Sequence, residues 1–595
     1  MPSSPRPSRA LLAACAGLLL ALQGCDDSPD SRPDASVPVE DSGTPGDSGT
    51  REDSGTREDS GTGDLDAGDE DSGTPGDSGT PEDSGTPDAG TGEPWDGGYT
   101  VLPETGNWVD RGRFAPCTFD SQGDPATVAC DDLARFDLSQ CDPAALAGVP
   151  PEGIYGADLR AERPLADGGT RVSALAAGFK LVSDGGIDTL GGEPLHLRNT
   201  DGGTFFVVGL RSNPVLGPQM TALAGCQVPS PGIITGCFAR CANGRFSSTG
   251  TFDADRLVVS SGEPESSGGV NLIAEARVEL GVPADVYVTR NHAYVVSFSH
   301  VERNGGLTVF DVSDRRFPIL KTAISLPGDN YWNGVWAKGD ALYIASGTVG
   351  TIVYDITNPA APEFVRNLPS GAFGTHTVLV DGNRLYAMTS DGATFVYDVT
   401  SPLAPVLLQI ITLPEELSSG GPHDAFAYEG RLYIANGFGG YSVMDVTDLD
   451  DVRHLGQYFY PNGYAHHLAV GTFAGQTLAF AGGETVGAHM RVLNVTDPAH
   501  IVKIGEFRLR PVTSIHNLLL KGTRLYISWY QEGLRVLDVS NPTQPRQVAH
   551  YNTFRETDPG RPDGVIEGAI GVRVPDDGYV YVVDMTRGLL IFNEP

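Results

Sequence analysis

Apolar and polar positions alternate with a period of two along a short phrase that returns six times in the C-terminal half. It reads LTVFDV from Leu307, TIVYDI from Thr351, TFVYDV from Thr394, YSVMDV from Tyr441, MRVLNV from Met490 and LRVLDV from Leu534. Such alternation describes a half-buried strand. Ser or Thr, then Asn or Asp, and usually prolines follow and end it. The residue closing each strand is Asp311, Asp355, Asp398, Asp445, Asn494 or Asp538, a type whose side chain caps its own turn through backbone N–H groups and needs no ligand to do so. One turn departs from the pattern, with Leu449 and Val452 where prolines would stand.

Ahead of each phrase, and once more ahead of the closing GLLIFN, stands a pair of strands joined by a small turn, the second usually beginning Leu-Tyr. These pairs start at Val286, Val335, Val378, Ala425, Leu468, Leu518 and Val572, which makes seven units. A fourth strand follows the proline turn, as in VLLQIITL from Val406 and IVKIGEFRL from Ile501. The closing residues recur at intervals of 43 to 49, the period of a propeller blade. The predicted fold class is therefore all-β, with a seven-bladed β-propeller over residues 270–595. The last unit runs out at Pro595 after its third strand, while NLIAEARVEL, residues 271–280, has the look of a fourth strand. Pairing of 271–280 with 589–592 would close the ring and leave no unpaired central edge.

These phrases resemble the LVIVD-repeat family of bacterial exported β-propellers, named for the strand that reads LRVLDV here. The resemblance covers residues 271–595. It implies a binding or surface role outside the cytoplasm and brings no assigned activity with it.

Cysteine placement separates a second region. Six of eight cysteines, Cys117, Cys130, Cys141, Cys226, Cys237 and Cys241, fall within 95–262, and none lies beyond. An even number in an exported region predicts up to three disulfides, with fifteen pairings that sequence cannot separate. Zinc on Cys226, Cys237 and Cys241 is the competing reading, and it lacks a clear fourth ligand. Apolar runs such as TFFVVGL from Thr204 and RLVVSS from Arg256, with Asp-Gly-Gly turns at Asp167, Asp184 and Asp201, predict a small β-rich domain. SSGEPESSGG, residues 260–269, reads as a hinge of small and polar residues between the two domains.

Charge changes the picture at the N-terminus. Of the formal net charge of −36, residues 25–100 carry −19, from 22 Asp plus Glu against three Arg. Residues 25–94 repeat Asp-Ser-Gly-Thr and almost lack apolar side chains, so a disordered acidic tether is expected. Self-repulsion would extend it beyond the roughly 45 Å of a flexible chain of about 68 residues. Its carboxylates lack the spacing that wraps one calcium ion. Residues 1–24 hold Arg6 and Arg9 and then an apolar run from Ala10 to Leu22, too short to span a bilayer and suited to a secretory signal. Leu22-Gln23-Gly24-Cys25 resembles a bacterial lipobox, which implies cleavage after Gly24, acylation of Cys25 and anchoring in the cell envelope, periplasmic or on the outer surface. The acidic balance argues against nucleic acid as a partner.

Candidate chemistry gathers at one register position. With the inner strands aligned, that position is Ala284, Asn333, His376, His423, His466, His516 and Ile570. Four consecutive blades thus present histidine near the mouth of the central channel, where His376, His423, His466 and His516 are candidate ligands for a transition metal. Asn333, Asp424, His467 and Asn517 are expected to add polar groups to the same face. The loops FSHVERNGG from Phe298, GGETVGAH from Gly482 and TFRETDPGRPDGVIEG from Thr553 lie on that face too, with Trp332, Trp336, Tyr464, Trp529 and Tyr530 near it in sequence. Long loops and amphipathic aromatics on a rigid ring suit recognition. No Ser-His-Asp order or lone activated cysteine is legible. The leading expectation is a membrane-anchored binding or scaffold module for a protein or glycan. The alternative is a metal-dependent enzyme, oxidative or hydrolytic, using the four histidines.

Overall fold

The computed structural model describes residues 95–595 apart from 166, 167, 184, 214–216, 259–262, 301, 302, 330, 390 and 418. The signal segment, Cys25, the tether and the expected turns at Asp167 and Asp184 lie outside the described residues.

The recurring phrases fold into seven antiparallel sheets, spanning 282–324, 332–368, 377–412, 424–458, 465–507, 518–551 and 569–593 and named blades 1 to 7 in that order. The strand Leu272–Ala276 pairs antiparallel with Gly588–Asn593, Leu272 opposite Phe592 and Ala276 opposite Leu589. It is the outermost strand of blade 7, so the two ends of the propeller share one blade. Six caps match the sequence reading: Asp311, Asp355, Asp398, Asp445, Asn494 and Asp538 each accept a bond from the backbone N–H two residues on. The departure at Leu449 and Val452 leaves its blade intact, with a fourth strand at Arg453–Tyr458.

The cysteine region is a closed eight-stranded barrel running from Gly153–Pro164 to Arg245–Arg256, which pair with each other to close it. Its interior is filled from every side, by Leu159, Leu175, Phe179, Leu223, Phe238 and Phe252 among others. Side chains of opposite parity on three neighbouring strands, including Cys226, Cys237 and Cys241, face outward under the segment that carries Phe119 and Phe136. Three disulfides fasten this cover: Cys117–Cys237, Cys130–Cys241 and Cys141–Cys226. They place Cys226, Cys237 and Cys241 in three different bridges, so no thiolate remains for the zinc reading.

Three expectations need correcting. RLVVSS does not begin a strand at Arg256: the barrel's last strand ends there, and Leu257 is buried with Ile154, Val512 and Phe554 where barrel meets propeller, while residues 259–261 lie outside the described residues. Leu257 serves that joint instead of a sheet, and Val258 is exposed. The 260–269 hinge is in part a structural strap. Ser266–Ser267 adds a fifth strand to blade 6, and Glu263 lies 2.6 Å from Arg535, a guanidinium with no exposure of its own that Glu263 and Glu532 neutralise together. Residues 95–107, assigned by sequence to the cysteine domain, run along blade 5 instead. There Leu102 N–H donates to the Lys503 carbonyl at 2.8 Å, and Glu104 takes two bonds from Arg491 at 2.9 and 3.0 Å.

Barrel and propeller are joined through the long loop between blades 6 and 7. Asp563 accepts from Thr189 Oγ1 at 2.9 Å and from Gly192 N–H at 2.8 Å, Lys180 Nζ donates to the Arg561 carbonyl at 3.0 Å, and Arg256 pairs with Glu556 at 2.5 Å.

Candidate functional site

The four histidines stand at the beginnings of the inner strands of blades 3 to 6, where each backbone turns from the outer strand of the preceding blade into the channel. His376, His423 and His516 N–H groups bond to the carbonyls of Met388, Ala435 and Ser528, on the second strand of the same blade, at 2.8, 2.8 and 3.0 Å. That pairing fixes the backbone and aims each ring at the axis.

The rings meet. Successive imidazole centroids from His376 through His423 and His466 to His516 are 4.1, 4.2 and 4.1 Å apart. Nε2 of His376 and Nε2 of His423 are 2.8 Å apart, one donating to the other. Asn333 approaches His376 Nε2 at 3.4 Å from blade 2, while Ala284 and Ile570 complete the ring with apolar side chains. Tyr331 and Tyr530 flank the arc, at 6.1 Å from His376 and 4.8 Å from His516.

Sequence reasoning did not single out Glu484. It follows the second strand of blade 5, inside the GGETVGAH loop that was noted for its length alone, and is fully buried. Its Oε1 accepts from Tyr530 O–H at 2.5 Å and lies 3.6 Å from His516 Nε2, while its Oε2 lies 3.6 Å from His466 Nε2. Burial pushes this carboxyl up to about 7. Burial also pulls the imidazoles down, His376 to about 4 and His516 to about 3, with His423 and His466 well below the usual histidine value. The rings are therefore neutral at physiological pH, and the 3.6 Å approaches to Glu484 are neither ion pairs nor hydrogen bonds.

Above the arc opens a cavity of about 840 Å³. It is bounded by the loops that leave second strands and approach inner strands, which is the face expected from sequence. Phe298, Tyr331 and Tyr530 supply aromatic walls, and Glu275, Arg277, Arg303, Asp558 and Arg587 supply charge. The long loops at Phe298 and Thr553 both reach it.

Below the arc lies a second chamber of about 300 Å³, and His423, His466 and His516 border both. Asp424, His467 and Asn517 line this lower chamber and are not among the residues lining the upper cavity. Each step along an inner strand moves about 3.3 Å down the channel, so residues one place after the histidines fall beneath them. Asp424 Oδ2 and His467 Nε2 are 3.5 Å apart. Burial drives Asp424 up to about 8 and His467 down to about 3, so both are neutral. Asn333 borders both spaces. Arg573 closes the lower chamber between Tyr287 and Trp336, its guanidinium 4.7 and 4.6 Å from their ring centres.

The remaining aromatics divide. Trp332 and Trp529 are blade core, whereas Tyr464 packs edge-on against His423 at 5.4 Å.

The LVIVD repeat family matches residues 281–325, 331–368 and 515–553, three stretches that fall on blades 1, 2 and 6. This propeller carries LVIVD repeats. No curated protein matches the sequence. Among solved structures, the LVIVD propeller is similar to the WD40 β-propeller domain of Doa1, at 11% identity over 55% of this chain and 98% of that one, with a TM-score of 0.41. It is also similar to the computationally designed Ika8 protein, at 11% identity over 54% and 99% with a TM-score of 0.40. U3-55K shares 8% identity over 55% and 98%, with a TM-score of 0.43.

Proposed function

We propose that this protein is an exported, lipid-anchored binding module that captures a small polar ligand, of the size of a glycan fragment, in the upper cavity of its LVIVD propeller. The observation that carries the reading is the cavity itself. At about 840 Å³ it falls in the range of small-molecule sites, which runs from about 300 to about 1,000 Å³. Its walls combine flat aromatic faces with carboxylate and guanidinium groups, the combination that stacks on a sugar ring and bonds its hydroxyls. Neighbouring Glu275 and Arg587, 2.6 Å apart, hold one part of the rim rigid.

The test is a thermal-shift and calorimetric screen of the purified protein against cell-envelope oligosaccharides, with Tyr331→Ala and Phe298→Ala as cavity variants. Saturable binding that weakens at least tenfold in both variants supports the reading. Binding unchanged in both, or none in the wild type, overturns it. For the anchor, Cys25→Ser is expected to release the protein from the membrane fraction. A second reading, metal-dependent chemistry on the captured ligand, is favoured by the histidine and glutamate floor and requires an ion to be held there.

A further inference from the structure

The floor of the cavity holds more polar capacity than the protein itself satisfies. His423 Nδ1, His466 Nδ1 and Glu484 Oε2 are buried and have no hydrogen-bond partner, on residues that are 6%, 3% and 0% exposed. Unpaired buried groups of this kind are costly, and three of them on neighbouring residues call for a partner the protein does not supply. Mutual bonding among the rings accounts for His376 and His423 only, through their Nε2 atoms. The basic groups within 4 Å of Glu484, among the described residues, are the imidazoles of His466 and His516, each at 3.6 Å.

We propose that His423, His466 and Glu484 bind one divalent transition metal ion of the zinc, cobalt or nickel class, with His376 and His516 beside them as further donors. One potential ligand atom from each of the three lies within 4.8 Å of the other two. Ligands on one tetrahedral zinc stand about 3.4 Å apart, given bonds of about 2.0–2.1 Å. The observed separations of 3.6 Å from Glu484 to the Nε2 atoms of His466 and His516 lie close to that value. Mixed imidazole and carboxylate donors suit this class of ion, whereas calcium and magnesium prefer oxygen alone.

The surroundings are arranged as a metal site requires. His516 Nδ1–H donates to the Ile570 carbonyl at 2.5 Å, which fixes the tautomer and leaves Nε2 with a free lone pair toward Glu484. Tyr530 orients Glu484 through its other oxygen. The ion would face the upper cavity, so this inference deepens the binding reading by placing an electrophile where a ligand oxygen would arrive.

The test uses the full-length protein, purified without a polyhistidine tag, stripped with chelator and titrated with Co²⁺ followed by Zn²⁺. Expected is one Co²⁺ per chain with visible d–d absorption, displaced by Zn²⁺. Affinity should fall roughly 100-fold in Glu484→Gln and in the His423→Ala, His466→Ala double variant. His500→Ala, whose side chain is 82% exposed, should bind as the wild type does. If the double variant does not fold, Glu484→Gln, which keeps the shape of the side chain, decides the matter. No saturable Co²⁺ binding in the wild type, or unchanged affinity in a folded Glu484→Gln, overturns the proposal. Because the probe is metal alone, its failure leaves oligosaccharide capture standing, and failure of the oligosaccharide screen leaves the metal result standing.

Discussion

Gly178 of the barrel lies against Asp563 of the propeller so closely that a Cβ built on it would stand 1.6 Å from the Asp563 carbonyl oxygen. No side chain fits between two backbones at that distance. Gly178→Ala is expected to part the barrel from the 553–568 loop and cost about 1–3 kcal/mol. Denaturant unfolding should show the loss, and limited proteolysis should cut within 553–568 faster than in the wild type. Equal stability and equal cutting would show that the joint yields freely.

Glu104 and Arg491 hold the N-terminal strap on blade 5. Arg491 is fully buried, stacked 4.0 Å above the Tyr460 ring, with Glu104 as its carboxylate partner. Glu104→Gln leaves that guanidinium without a counter-charge, and a loss of roughly 3–5 kcal/mol is expected. Hydrogen bonds and charge from Arg491 overcome burial and lower the Glu104 carboxyl from 4.5 to about 2. A lowered carboxyl contributes stability that is complete above pH 4.5 and is lost as pH falls toward 2. Unfolding curves at pH 7 and pH 3 should therefore converge for Glu104→Gln relative to the wild type.

Asp563 works in the opposite sense. Burial raises it from 3.8 to about 6 in spite of its bonds to Thr189 and Gly192. The folded state keeps its proton while the unfolded chain has lost it, so stability declines as pH rises from 3.8 and levels off above about 6. Asp563→Asn retains an acceptor for Gly192 and removes the titration. Its stability should change less across pH 4–6 than that of the wild type, and an identical slope would place the titrating group elsewhere.

All three disulfides lie between the barrel and its cover, with sequence separations of 120, 111 and 85. Replacing Cys141 and Cys226 by alanine should cost about 2–5 kcal/mol, because the bridge restricts the unfolded chain. The loss should appear in the barrel's unfolding, followed through intrinsic fluorescence, while the propeller's transition shifts little. A loss shared equally by both would mean that they unfold as one unit.

The propeller was legible because a blade is a local unit. Alternation within LRVLDV, the capping residue after it and the spacing of the repeats all lie within a few dozen residues, and the missing strand of blade 7 left a spare at 271–280. The histidine arc was legible for the same reason, since repeats in register put equivalent residues at equivalent heights. Register also misled. It grouped Asp424, His467 and Asn517 with the histidines before them, although one residue further along an inner strand is a different level of the channel. Leu257 misled as an apolar letter, which cannot say whether it will face a sheet or a neighbouring domain.

By itself the sequence determined the blade count, the closing strand, the turns and the convergence of His376, His423, His466 and His516, because each follows from short-range pattern repeated around a ring. Tertiary structure alone decided which cysteines pair, that the β-rich region closes into a barrel, and that Glu484 and Tyr530 arrive at the histidines. Those outcomes depend on contacts between residues far apart in the chain, selected by burial and close packing, for which no local pattern of letters is a record.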